Sequence, residues 1–80
     1  MRQRSPALII TFSATTDAMA MEAHCQARGL PGRLIPIPRE ITAGCGLAWK
    51  TLPGEDARFA RSLEEAGIRW EAMKIVALWA

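Results

Sequence analysis

Tyrosine is absent from this 80-residue sequence, and phenylalanine occurs only twice. A nucleic-acid module clusters its cations and interleaves them with aromatic rings. Here the ten Lys and Arg are scattered, and eight Asp and Glu reduce the net charge to +2. Nucleic acid is therefore not an expected partner. Long apolar runs are also missing. The longest, Ala7–Ile10 and Ile75–Ala80, fall far short of the roughly 20 residues that cross a bilayer. The apolar stretch behind the basic N-terminus is too short for the core of a signal peptide. The expectation is a cytoplasmic protein with no membrane partner, whose cysteines remain thiols.

Two cysteines do not make a disulfide scaffold, and a single histidine, His24, offers little to a metal. Zinc sites draw on three or four protein ligands. No metal and no other cofactor is expected. No Ser/His/Asp set and no glycine-rich phosphate loop is visible. A classical stand-alone enzyme is accordingly a weak expectation.

What is present is one domain's worth of alternating patterns. Met1–Pro6 has no apolar residue after Met1 and reads as a flexible tail, leaving residues 7–80 as a single domain. Ala7–Phe12 reads as a buried strand. Ser13, Thr15 and Thr16 offer N-cap oxygens, and Asp17 suits the positive end of a helix dipole. A helix over Thr15–Arg28 then carries the stripe Ala14, Ala18, Met21, Cys25, and Gly29 stops it. Arg33–Ile37 reads as an edge strand because Pro36 cannot donate to a ladder. Leu47–Leu52 reads as a third strand. A second helix opens at Glu55 and Asp56, packs Phe59, Leu63 and Ala66, and stops at Gly67. Ile68–Trp79 holds a fourth strand. Gly29-Leu30 and Gly67-Ile68 are 38 residues apart, a faint internal repeat. Strand–helix–strand taken twice gives βαββαβ, an α+β ferredoxin-like two-layer sandwich with antiparallel sheet order 4-1-3-2. Its edge strands leave a homodimer open.

The connection between the second and third strands stands out. Hairpin links usually take about 2–5 residues, yet eight, Pro38–Cys45, separate Ile37 from Gly46. Pro36 and Pro38 stiffen its start, and Gly44 and Gly46 flank Cys45 and permit positive φ. The loop should expose a sulfur beside backbone N–H groups. A nucleophilic cysteine acts as the thiolate, which nearby cations and helix N-termini favour. Arg39 lies in the loop, and the fold brings the start of the first helix, with Ser13, Thr15 and Thr16, to the same end of the sheet. Glu40 would work against the thiolate if it lay close. Cys25, on an apolar helical stripe, reads instead as a small core residue.

The run Leu34-Ile35-Pro36-Ile37-Pro38-Arg39-Glu40-Ile41-Thr42-Ala43-Gly44-Cys45-Gly46-Leu47-Ala48 resembles the central motif of the DUF3343 family, described as putative Se/S carrier protein-like. The family pattern is Leu-Ile-Pro-x-Pro-Arg-Glu-Ile, a few small residues, then Cys-Gly-Leu-Ala, and the likeness extends over about residues 7–76. It implies a small cytoplasmic protein that holds a persulfide or selenopersulfide on Cys45. Sulfur or selenium donor and acceptor proteins would be its partners. Pro38, Arg39, Glu40, Thr42, Gly44 and Gly46 fall on the motif as loop support. Thr-Ala-Gly stands where serines are common in the family, and Ala77–Ala80 extends past its usual end. The alternative reading is a non-catalytic ferredoxin-like module for interaction or regulation, with Trp49, Trp70 and Trp79 supplying apolar surface. A copper carrier would need a second thiol close to Cys45.

Overall fold

Each helix ends where a glycine takes up the left-handed conformation. In a computed structural model, which describes residues 3–41 and 44–79, α1 spans Thr15–Arg28 and α2 spans Asp56–Ala66. Gly29 and Gly67 follow them at φ 65° and 72°. The next residue in each case returns a hydrogen bond into the last turn: Leu30 N–H to Cys25 O at 2.9 Å, and Ile68 N–H to Leu63 O at 3.0 Å. This is the Schellman closure, with an apolar residue at C″. The four strands are β1 (Arg4–Thr11), β2 (Arg33–Pro36), β3 (Leu47–Thr51) and β4 (Ala72–Trp79). They form one antiparallel sheet in the order β2-β3-β1-β4. The architecture is therefore the ferredoxin-like α+β sandwich expected from the element order.

The 38-residue repeat has a physical counterpart. His24 on α1 and Ser62 on α2 are one repeat apart and meet at 2.7 Å, Nε2 to Oγ. Their bond joins the two helices.

Alternation along β1 divides the apolar residues between two faces. Leu8, Ile10 and Phe12 point toward the helices and pack with Ala18, Met21, Cys25, Trp49, Phe59, Leu63 and Ile68. Ala7 and Ile9 point the other way and pack with Ala48 and Ile41, flanked by Ile35, Ile37, Val76 and Leu78. Among the described residues no helix covers this second face; the long β2–β3 loop does, through Ile41. Ala66, expected in the α2 stripe, is exposed: it is the last residue of the helix, next to the Gly67 stop.

Three expectations shift at element boundaries. Arg4, Ser5 and Pro6 continue β1 rather than forming a loose tail, and they pair with Trp79, Leu78 and Ala77 of β4. Backbone pairing needs no apolar side chain. Pro6 is tolerated because β3 pairs with β1 only from Leu8 onward, so one edge is open there. Met1 and Arg2 lie outside the described residues. The N-cap of α1 is Ala14, which makes no side-chain cap; Ser13 is engaged elsewhere, and Thr15 and Thr16 lie within the first turn, exposed. β4 begins at Ala72, after a non-strand stretch from Ile68.

Candidate functional site

The β2–β3 loop is tied down at three places, each by the main chain. Ile37 N–H bonds Gly46 O at 2.9 Å and closes the base of the loop beside the Pro36–Leu47 pair. Ile41 N–H bonds Pro38 O at 3.0 Å, which turns the first half of the loop back over the helix-free face. Cys45 N–H bonds Phe12 O at 3.0 Å and fastens the second half to the exit of β1. The motif residues therefore divide. Pro38, Arg39 and Glu40 lie in the turn, with Arg39 and Glu40 exposed. Glu40 reaches Arg4 at 3.3 Å, at the opposite end of β1 from Phe12. Its carboxylate is directed away from the end that holds Cys45. Thr42 and Ala43 lie outside the described residues.

Around Cys45 the backbone leaves little choice of residue. Gly44 sits at φ 65°, where a side chain is strained. A Cβ there would also collide with the Phe12 carbonyl oxygen and come within 3.4 Å of a Glu71 carboxylate oxygen. Gly46, at φ 87°, faces open space, so only its conformation calls for glycine. Cys45 itself is half-buried and packs against the helix-side core, with Sγ 3.9 Å from Leu47 O. The loop thus presents a partly covered sulfur, and the cysteine's own N–H is already engaged.

Phe12 is two residues ahead of the Ala14 N-cap, so the anchor of Cys45 lies beside the N-terminus of α1. Ser13, Thr15 and Thr16 are thereby at this end of the sheet. Ser13 Oγ donates to Glu71 Oε2 at 3.3 Å, and Glu71 N–H bonds Thr11 O at 2.7 Å. Glu71 is a site neighbour that sequence reasoning did not single out. It sits on the link into β4, where no periodicity marks it. Its carboxylate thus lies between Gly44 and Ser13, next to the N-cap of α1.

Cys25 is the counter-example within the same chain. It is 1% exposed, and Sγ lies 3.7 Å from Met21 Sδ. Burial pushes its thiol up from 9.0 to about 11. His24 is half-buried against Ser62. Among the described residues, no three His, Cys, Asp or Glu side chains are grouped so as to hold a metal ion. Trp49 is in the core, its indole N–H bonding Pro31 O at 3.2 Å, and Trp70 packs against the same cluster. Among the described residues, no helix is long and apolar enough to cross a membrane.

A family model described as "Putative Se/S carrier protein-like" matches residues 7–74, nearly the whole chain and all of the Cys45 loop. The chain belongs to this family. No curated protein and no solved structure matches it. Family membership brings with it the notion of a carrier, and hence of transfer partners.

Proposed function

We propose that this protein carries sulfur or selenium on Cys45, receiving it from one protein and passing it to another in the cytoplasm. The observation that supports this most is the joint position of Cys45. It lies within the matched span, in the run that resembles the family's central motif, and it rides between two positive-φ glycines on a loop fastened by the main chain to Phe12.

The chemistry asks little of the protein. The Cys45 thiolate attacks the outer sulfur of a persulfide on a donor cysteine. A new Cys45–S bond forms, the donor's S–S bond breaks, and the donor cysteine leaves as a thiolate. Cys45 then bears the persulfide, and an acceptor nucleophile repeats the step in the forward direction. A selenium atom in the outer position follows the same course. The N-terminus of α1 offers favourable potential to the terminal anion, and Gly46 leaves space for an incoming cysteine. With no second thiol placed at the loop, the transfers are intermolecular, which makes the protein a carrier rather than a stand-alone enzyme.

Incubation with a low-molecular-weight persulfide donor and intact-mass analysis tests the reading. The wild type and Cys25→Ala should each gain one sulfur mass, and Cys45→Ala should gain none. Equal loading of Cys45→Ala and wild type would overturn it and leave the interaction-module reading in its place.

A further inference from the structure

The strands carry four basic residues, Arg4, Arg33, Lys50 and Lys74, and no acidic one. The register lines up three of them. Arg33 pairs with Lys50, Lys50 with Ile9, and Ile9 with Lys74. The row Arg33–Lys50–Ile9–Lys74 thus runs straight across all four strands. Directly paired residues project to the same face, and Ile9 packs on the helix-free side. The three cations therefore share that face, spread over roughly 14 Å at about 4.8 Å per strand. Arg33 and Lys74 are exposed and Lys50 is half-buried.

Like charges placed directly opposite one another destabilise a sheet, so the Arg33–Lys50 pair gives the fold nothing by itself. Glu40, the acid that the loop brings to this side, has its carboxylate on Arg4. Arg33 and Lys50 also form the ridge between two grooves. One continues over Ala7, Pro31, Gly32 and Leu52, the other over Ile35, Pro38, Glu40 and Leu78.

We propose that this face docks an acidic segment of a partner protein, with carboxylates against the cation row and apolar side chains in the two grooves. Charge complementarity selects the occupant. A second copy meeting this one face to face would set one cation row against another. A nucleic acid would want rings for its bases to stack on, and the described side chains of this face include no aromatic one. The proposal rests on the carrier reading for the partner's purpose. Ile41 lies on this face and begins the part of the loop that leads to Cys45 on the helix side, so a partner docked here would touch the loop that carries the cysteine.

A ¹⁵N-labelled sample titrated at low salt with a synthetic decapeptide of alternating glutamate and leucine provides the test. The amides of Ile9, Arg33, Lys50 and Lys74 should shift as one band, and Lys50→Glu/Lys74→Glu should weaken binding at least tenfold with an otherwise native spectrum. Lys74→Glu alone, on an exposed edge position, should give part of that loss. Absence of binding, shifts confined to the helices, or undiminished binding by the double variant would overturn the proposal. So would tighter binding of an oligoribonucleotide or of inorganic phosphate at this row, or concentration-dependent self-association through it. Sulfur loading of Cys45 is measured separately by mass. Loading without docking removes this proposal alone; docking without loading removes the carrier reading alone.

Discussion

The two cysteines differ less in chemistry than in the backbone that carries them. Cys25 sits on a regular helix whose stripe points into the core, against Met21, with burial raising its thiol to about 11. Cys45 sits on irregular backbone between two left-handed glycines and is held at its own amide by Phe12 O. The first arrangement makes sulfur a packing atom. The second holds the main chain still while leaving the side chain half-covered. The comparison teaches that fixing a thiol in place and hiding it are separate operations, done here by different means.

The largest effect expected from breaking that contrast is on reactivity. Under native conditions iodoacetamide should modify Cys45 and leave Cys25 untouched, so Cys45→Ser should remove essentially all labelling seen by peptide mass mapping. Modification of Cys25 at a comparable native rate would erase the distinction.

Next comes the fastening of the loop. Gly44→Ala meets both positive φ and the Phe12 carbonyl, and should cost roughly 1–3 kcal/mol in urea unfolding. Gly46→Ala meets positive φ alone and should cost about 1 kcal/mol. Equal losses would show that the Phe12 contact contributes nothing.

The pH dependence of stability sharpens the contrast from the other side. Cys25 has a folded-state pKa raised to about 11 from 9.0. The unfolded thiol ionises first, so the contribution is intact below pH 9 and is lost as pH rises toward 11. The stability of Cys25→Val should fall less steeply than wild type over that window. Parallel curves would contradict a buried, proton-holding thiol.

The smallest effect concerns the helix pair that shelters Cys25. His24→Ala removes the bond to Ser62 and should cost about 1 kcal/mol. Thermal unfolding of the single and double variants would separate the bond from the packing.

Much of the scaffold could be read from the chain. Gly29 and Gly67 mark helix ends by their conformational freedom, and the spacing of Ala18, Met21 and Cys25 marks the buried stripe. Element order then leads to the sheet order. The placement of Cys45 near the start of α1 follows from that topology, and the structure puts its amide on Phe12. Other features have no local signal. Arg4–Pro6 joins β1 through backbone pairing with β4, which hydropathy does not report. Arg39 and Glu40 share the motif with Cys45 but turn away over the other face, because Ile41 finds an apolar partner on Ile9 and Ala48. Glu71 arrives from a distant link, and Ala14 takes an N-cap position for which Ser13 was the better candidate by composition.

The pairing of Arg4 with Trp79 places both ends of the sheet's longest strand pair at one corner, opposite the end that holds Cys45. Tension applied at those two points would load the β1–β4 ladder as a zipper. Its hydrogen bonds would open one after another at low force, since none shares the load with the next. The Cys45 loop, anchored at the far end of β1, would be among the last parts to come undone.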